Sequence, residues 1–482
     1  MKPSIIPAPR KIKYIIGSSV LNDKTEIKYE ADEALKHEEY KLIIADGTVS
    51  IKYGDDAGKF YAMQTLKQIT ETCGVVCKNL EIEDCPAFGH RGFSLDCSRH
   101  FFDITQIKKL IDAAAFFKMN IFHWHLTDDQ GWRFPSDKYP LLNTIGAKRK
   151  ESAFGGIIEN GEYSGGYTKS EIAEIVNYCK KRFIDVIPEI DMPGHTTSVL
   201  ASYRNLGCTG KPVETQIKEG IFDTVLCIGN PDSIQFCKDI LDEVCDLFPF
   251  GYIHIGGDEV PKIKWKECPA CKSEFNKLHL NDYDEYQGWF MKSIADYLKS
   301  KGKTAITWNE SLKGGMLNKN DCIVQRWMDK ENLSYDFANK GGKIIETDFY
   351  HYYCDYPYGM TPVKKTYTFN PVNKSVKDSS NVIGIEAEMW TEYIRSEKDL
   401  HRKLFPRMIA IAERAWCGNG NPDYDGFVKR HEALRKSTES LGIEIIPVEE
   451  WSINPVARIS DMFNFFKGSI RSCIDSLVKS NS

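Results

Sequence analysis

Side chains that can bind or transform a substrate recur where short apolar runs of this sequence end. One run is followed by Gly-Gly and then by the adjacent carboxylates Asp258 and Glu259. Other run ends carry carboxylates, imidazoles, an arginine and aromatic rings, namely Asp96, Arg99, His100, His123, His125, Asp128, Asp191, His195, Trp308, Glu310, Trp327, Tyr353, Asp355, Glu388, Trp390 and Glu392. Carboxylate and guanidinium groups bind hydroxyls through paired hydrogen bonds, and indoles stack on the apolar face of a sugar ring. This combination favours a carbohydrate ligand.

The runs that carry these side chains read as strands. From residue 90 onward, β-rich runs alternate with amphipathic helical runs, and the strand predictions are residues 92–98, 120–127, 185–191, 252–257, 304–308, 322–327, 343–350 and 382–390. Such alternation predicts βα units around a parallel sheet, and eight units predict an α/β fold of the (β/α)8 TIM-barrel type. Because barrel enzymes place their chemistry at the C-terminal ends of the strands, we expect the run-end side chains to meet on one rim.

Helix signals support the same interpretation. Thr168 and Glu171 form a capping-box pattern before a run of apolar residues at helical spacing. Residues 356–381 show no helical stripe, so we expect a loop between the seventh and eighth strands.

The predicted barrel is one of three units. Residues 1–86 combine β-rich runs with a helical stretch and predict a small α+β domain. Residues 87–420 form the barrel, and residues 421–482 predict a C-terminal helical extension.

Composition excludes several classes of function. Lys and Arg total 63 and Asp and Glu total 68, with no long basic run, so nucleic acid is not an expected partner. No glycine-rich phosphate loop occurs, and we expect no cofactor. No apolar run is long enough to cross a membrane and no signal peptide is seen, so with 15 cysteines we expect a cytoplasmic protein with free thiols. A sequence trimmed of its leader would look the same, so an extracellular location stays open.

Four motifs closely resemble glycoside hydrolase family 20, the β-N-acetylhexosaminidases. They are residues 90–102 (HRGFSLDCSRHFF), 118–133 (KMNIFHWHLTDDQGWR), 187–195 (IPEIDMPGH) and 254–260 (HIGGDEV), and Trp390-Thr-Glu392 continues the family's order. The first domain, ending in FYAMQTLKQ, also looks like the family's N-terminal domain. The resemblance covers about residues 3–420 and is most specific at His-x-Gly-Gly-Asp-Glu.

The resemblance implies exo-acting, retaining hydrolysis of terminal non-reducing β-linked GlcNAc or GalNAc, without an enzyme nucleophile. The 2-acetamido oxygen of the substrate would attack the anomeric carbon and form an oxazolinium intermediate. Glu259 would be the general acid, and we expect its surroundings to keep it protonated near the working pH. Asp258 would stay ionised and orient the acetamido N–H, and Tyr353 would donate to the acetamido oxygen.

The same resemblance assigns the binding residues. Arg99, Asp355 and Glu392 would bind sugar hydroxyls at the pocket floor. Trp308, Trp327 and Trp390 would wall the pocket, and Asp128, Asp191 and His195 would form the polar groups that support it. Asn309 and Cys354 depart from the commoner family pattern and could shift specificity. The expected partner is a glycan or glycoconjugate; GlcNAc and GalNAc both stay open, and so does a homodimer.

Two other functions compete with this interpretation. His123 and His125 could ligate the metal of a barrel hydrolase, although a pair braced by Asp128 or Asp191 is the simpler prediction. A non-catalytic glycan-binding protein is the third alternative, which the intact acid set disfavours. Cys268 and Cys271 have the spacing of zinc ligands, but no second Cys-x-x-Cys pair occurs, so we expect a pair of loop thiols and no metal site.

Overall fold

The computed structural model describes residues 2–420, 422–452, 454, 456–463 and 465. The chain begins with a five-stranded sheet whose strands are Lys11–Val20, Ile27–Ala31, Tyr40–Ala45, Thr48–Tyr53 and Val76–Asp84. The helix Asp56–Cys73 starts at Asp55, whose carboxylate accepts from the amide of Gly58. Its buried face, including Tyr61 and Ile69, packs on the sheet in a core of its own.

The second unit is a closed barrel of eight strands. In chain order these are His90–Asp96, Ile121–His125, Asp185–Glu189, Tyr252–His254, Thr304–Trp308, Cys322–Arg326, Lys343–Glu346 and Val382–Ala387. All neighbouring strands are parallel, and the eighth pairs with the first, Gly384 opposite His90. The predicted TIM barrel is confirmed. Several predicted strands run too far, because the residues that follow leave the ladder to form the rim: the fourth strand ends at His254, before Gly256 and Gly257 at positive φ.

Helices cover the outside of the barrel. The longer ones are Ile104–Phe116, Lys169–Lys180, Pro231–Leu247, Tyr283–Ser300, Leu333–Asn339, Glu397–Leu404 and Arg407–Cys417. The capping box at Thr168 and Glu171 is present. The prediction of an unbroken loop over residues 356–381 is wrong, because Val363–Thr368 is helical. Between the fifth and sixth strands, residues 309–321 contain only the 3-10 turn Asn309–Leu312, since so short a connection cannot hold a covering helix.

Side chains fill the barrel interior in layers. The N-terminal end holds an apolar cluster formed by Ile121, Ile187, Ile306, Ile323 and Ile345. Two residues further along the strands, the same face presents polar or aromatic groups, because side chains of a strand alternate with a period of two. That polar layer supports the rim above it.

Buried charged groups form contacts between the first domain and the barrel. The carboxylate of Glu38 accepts two hydrogen bonds from the guanidinium of Arg91, at 2.7 and 2.8 Å. Asp84 accepts from the Lys118 ammonium at 3.1 Å and from the indole of Trp416 at 2.8 Å. These contacts fix the first domain against the N-terminal end of the barrel.

Part of the predicted C-terminal extension lies outside the described residues. Within the described part, Tyr424–Glu439 and Val448–Trp451 are helical. Among the helices of the described chain, we find none with the length and apolar character needed to cross a membrane.

Candidate active site

The structure brings all twelve sequence-predicted site residues into the lining of one cavity at the C-terminal ends of the strands. They are Arg99, Asp128, Asp191, His195, Asp258, Glu259, Trp308, Trp327, Tyr353, Asp355, Trp390 and Glu392. The cavity volume is about 150 Å³. Residues separated by almost 300 positions in the chain therefore share one small volume, as the barrel topology predicts.

Two glycines place the adjacent carboxylates on the rim. Gly256 has φ 65° and Gly257 has φ 98°. A Cβ atom on Gly256 would lie 1.7 Å from Asp191 Oδ1. Side chains are therefore excluded here by both backbone conformation and space. Glu259 itself has φ 49°, an uncommon backbone conformation that aims its side chain, 31% exposed, at the cavity mouth.

His195 lies between several carboxylates. Its Nδ1 is 3.1 Å from Asp128 Oδ1, and its Nε2 is 3.7 Å from both Asp258 Oδ2 and Glu259 Oε2. Burial alone would lower the pKa of His195, but the hydrogen-bonded Asp128 raises it well above its usual range. The imidazole is therefore a cation that reaches both members of the Asp-Glu pair.

The carboxylates Asp191 and Asp258 lie beside this cation. Burial, followed by their mutual repulsion, raises the pKa of Asp258 well above its usual range, and burial raises that of Asp191. This counts against an Asp258 that is simply ionised: even beside the His195 cation, burial and mutual repulsion favour one proton retained by the pair. Asp258 Oδ1 is also buried and has no hydrogen-bond partner among the described residues.

Aromatic rings form the cavity wall. The rings of Trp327 and Tyr353 are stacked with centroids 6.1 Å apart, and those of Trp308 and Trp390 are 6.0 Å apart at 44°. Burial and Glu388 raise the pKa of Tyr353 well above its usual range, so its hydroxyl keeps its proton. Tyr353 is thus a permanent hydrogen-bond donor beside a wall of indoles.

The cavity floor is built around Arg99. Its Nη2 is 2.7 Å from Asp128 Oδ2, its Nη1 is 3.8 Å from Glu392 Oε1, and its guanidinium carbon lies 5.2 Å from the ring centre of Trp390. Burial, followed by the charge of Glu392, raises the pKa of Asp355 to about 8. Asp355 Oδ1 is buried without a hydrogen-bond partner among the described residues. A floor with buried, under-used carboxylate oxygens suits the hydroxyls of a sugar.

His123 and His125 do not line the cavity. His125 Nδ1 is 2.5 Å from Glu189 and its Nε2 is 2.9 Å from Asp128 Oδ2. His123 lies 2.7 Å from Glu386 and 3.2 Å from Glu189. The braced pair is therefore favoured over the metal-hydrolase alternative, but the second brace is Glu189 and not the predicted Asp191.

Sequence analysis assigned no site role to four residues around the cavity, of which only Glu310 was named, as a side chain at a strand end. Phe349, Tyr356 and Tyr393 complete the cavity lining. Glu310, whose carboxylate accepts from the indole of Trp327 at 2.9 Å, lines a second cavity of about 420 Å³ that shares Glu259 and Trp327 with the first. Burial raises the pKa of Glu310 to about 7. Glu310 lies in the turn directly after the fifth strand and could have been included by position. Phe349 begins a four-residue helix, and Tyr356 and Tyr393 lie on loops that periodicity does not place.

The expectation of an isolated thiol pair at Cys268 and Cys271 is wrong. Cys208 and Cys227 lie beside them, and the four sulfur atoms are all within 4.8 Å of one another. The reason is that the long connection after the third strand folds onto the helix Pro269–Lys277.

A (β/α)8 barrel with adjacent carboxylates, a buried arginine floor and indole walls defines a carbohydrate-active hydrolase. Comparison with known proteins specifies the family. The model of the glycosyl hydrolase family 20 catalytic domain matches residues 88–419, and that of the family's domain 2 matches residues 30–85. The chain belongs to glycosyl hydrolase family 20.

Its relatives and structural neighbours agree. The chain is 37% identical over 462 residues to a β-hexosaminidase of Porphyromonas gingivalis, covering 90% of this chain and 58% of the relative, so it spans somewhat more than half of that protein. A β-hexosaminidase of Akkermansia muciniphila is 30% identical, with 89% and 88% covered. A β-N-acetylhexosaminidase structure from Bacteroides fragilis superposes with a TM-score of 0.81 at 32% identity, covering 92% of this chain and 97% of the other.

Proposed function

We propose that this chain is an exo-acting, retaining β-N-acetylhexosaminidase that releases terminal non-reducing β-linked GlcNAc or GalNAc. The observation that carries the proposal is the cavity that Asp258, Glu259 and Tyr353 line together with three indoles. Its volume of about 150 Å³ is below the roughly 300 Å³ at which pockets for drug-sized ligands begin. A single sugar residue with its acetamido group is the ligand that this size and lining favour.

Glu259 acts as the general acid and then as the base. Its carboxyl is the more exposed of the pair and lies at the boundary between the small cavity and the larger one that contains Glu310. The glycosidic oxygen must occupy that boundary if the terminal sugar fills the small cavity and the leaving group fills the large one. A proton passes from Glu259 to this oxygen as the bond breaks, and Glu259 later takes a proton from the attacking water.

Asp258 stabilises the charge of the intermediate. As the acetamido oxygen attacks the anomeric carbon, positive charge develops on the acetamido nitrogen. The raised pKa of Asp258 belongs to the site without that charge, and a cation beside the carboxylate favours its ionised form. The neutral hydroxyl of Tyr353 donates to the acetamido oxygen and holds it for attack.

The floor explains exo action. Arg99, Asp355 and Glu392 line the same small cavity as Glu259, and their polar atoms serve the hydroxyls of the terminal sugar. A chain that continued beyond this sugar would have to displace them.

Hydrolysis of p-nitrophenyl N-acetyl-β-glucosaminide and the matching galactosaminide tests the proposal. Glu259→Gln should lower kcat by about 10²- to 10⁴-fold, and the control Glu267→Gln, an exposed carboxylate in the same segment, should not. A 2,4-dinitrophenyl leaving group needs no proton, so it should recover much of the loss in glycosidic bond cleavage. Full activity of Glu259→Gln would remove its role as the acid.

Neighbouring-group participation has its own test. A thiazoline that mimics the oxazolinium should inhibit strongly, and p-nitrophenyl β-glucoside, which lacks the acetamido group, should not be hydrolysed. Indifference to the thiazoline would contradict this mechanism, and binding without turnover of any hexosaminide would favour the glycan-binding alternative.

We also propose that the protein works in a reducing compartment such as the cytoplasm. Nine described cysteines are buried and none of these nine forms a disulfide, which supports such an environment. Cell fractionation tests the location. The homodimer stays a prediction, and light scattering tests it against the monomer mass of 55.0 kDa.

A further inference from the structure

Four cysteine sulfurs converge beside the catalytic rim, on the outer side of two connections. Cys208 and Cys227 lie on the connection between the third strand and the helix Pro231–Leu247. Cys268 caps the helix Pro269–Lys277, and Cys271 lies in its first turn. Cys227, Cys268 and Cys271 are buried, and Cys208 is partly buried.

The spacing of the sulfurs matches a tetrahedral metal site. Cys227 Sγ lies 3.5 Å from Cys271 Sγ and 3.7 Å from Cys268 Sγ, and Cys208 Sγ lies 3.8 Å from Cys271 Sγ. With metal–sulfur bonds of about 2.3 Å, the edge of a regular tetrahedron is about 3.8 Å. A disulfide requires about 2.05 Å between two sulfurs and leaves no reason for four to gather.

Two further observations point to a metal-bound thiolate cluster. The hydroxyl of Tyr286, whose ring lies 5.6 Å from that of Trp265, is buried and has no hydrogen-bond partner among the described residues. Gly229 comes so close to the helix that an added Cβ would lie 2.6 Å from Cys271 Cα. This close backbone packing is what brings Cys227 to the Cys-x-x-Cys turn.

We propose that Cys208, Cys227, Cys268 and Cys271 bind one structural zinc ion. Four thiolates in a closed, largely buried tetrahedron are the ligand set of structural zinc, and no position is left for a water or a substrate. The ligands come from two sequence-distant connections, so the spacing of a single motif does not reveal the site.

The zinc would hold together the two connections that carry the catalytic groups. The connection with Cys227 is joined to the segment before His195 through Leu226, whose amide donates to Pro193 O at 3.0 Å. The connection with Cys268 begins at the Asp-Glu pair, and its Trp265 indole donates to Leu226 O at 2.9 Å. The ion would thus cross-link segments that otherwise contain little regular structure, and contribute to stability rather than to bond cleavage.

Metal analysis of the full-length protein tests the site directly. Protein purified without chelator from zinc-supplied cells should contain about one zinc per chain, and zinc K-edge absorption should show four sulfur neighbours at about 2.3 Å. Fewer than about 0.2 zinc per chain, stoichiometric iron in its place, or a shell with nitrogen or oxygen ligands would overturn the proposal.

Variants locate the metal. The double variant Cys268→Ser/Cys271→Ser should lose the zinc and unfold at a lower temperature, whereas Cys245→Ser, a partly buried thiol elsewhere, should keep both. Zinc retained by the double variant would overturn the assignment.

Thiol titration covers the case in which the double variant does not fold. Titration of denatured, chelator-treated wild type should count all 15 thiols, and a deficit of two or four would reveal disulfides and overturn the proposal. None of these measurements depends on hydrolytic activity, so they stand apart from the proposed function.

Discussion

Replacement of Asp355 by Asn should raise the stability of the protein and lower its activity, because the buried carboxyl destabilises the fold and is proposed to bind the sugar. Asp355 is 3% exposed, and burial followed by the charge of Glu392 raises its pKa from 3.8 to about 8. Between these two values the folded state holds a proton that the unfolded state releases. Stability is therefore unaffected by this residue below about pH 4 and falls progressively as the pH rises toward 8.

The size of the effect on the free energy of unfolding follows from how far the pKa of Asp355 is raised. At pH 7 the interval above the unfolded value of 3.8 is about 3 pH units, and at 1.36 kcal/mol per unit the cost is at most about 4 kcal/mol. Asn has nearly the same shape and does not titrate. Asp355→Asn should therefore unfold at a higher temperature than wild type at pH 7, with a difference that shrinks toward pH 5.

Thermal unfolding at four pH values between about 5 and 8 measures this effect, with the exposed Asp23→Asn as control. The same variant should lose about 2- to 10-fold in kcat/KM at pH 7, because a hydrogen bond between neutral groups is worth about 0.5–1.5 kcal/mol. Parallel pH dependences of wild type and Asp355→Asn would refute the assignment of a strained, desolvated carboxyl.

Three further predictions address the backbone, the leaving-group side and the floor. Gly257→Ala places a Cβ 2.2 Å from Ser311 Oγ at φ 98°, and should lower the free energy of urea unfolding by about 2–3 kcal/mol. Gly166→Ala, whose Cβ would meet only Arg133 O at 3.9 Å, should not. Glu310 has a pKa of about 7, so Glu310→Gln should remove an inflection near that pH from the kcat/KM profile; an unchanged profile contradicts this. Arg99→Lys should weaken binding of free GlcNAc about 10- to 100-fold by calorimetry, because an ammonium lacks the planar fork.

Sequence patterns located the adjacent carboxylates Asp258 and Glu259 of the cavity because the residues around them constrain the backbone. Two glycines before Asp258 mark a backbone that must turn sharply where a strand ends, and the structure shows both at positive φ. The alternation of strands and helices then determines which strand ends meet. The pattern does not determine where each strand stops, since residues 255–257 continue the predicted run although the fourth strand ends at His254 and both glycines have positive φ.

The periodicity of the sequence does not predict the contacts that irregular segments form. Cys208 and Cys227 lie far from Cys268 in sequence, and no periodicity indicates that their connection folds back onto the helix. Tyr356 and Tyr393 reach the cavity from loops for the same reason. The protonation of Asp258 also depends on burial and on Asp191, which are properties of the assembled site.

The polar layer inside the barrel links the strands, which the sequence pattern predicts, to the side chains of the cavity. Glu189 accepts from the indole of Trp308 at 2.9 Å and lies 2.8 Å from His254 and 2.5 Å from His125. His125 also contacts Asp128, and the carboxylate of Asp128 contacts Arg99 at 2.7 Å. One buried carboxylate, Glu189, therefore orients the Trp308 indole directly and the Arg99 guanidinium through His125 and Asp128. Because burying so many charges is costly unless each is paired, the layer is best explained as the support that holds the rim in a single geometry.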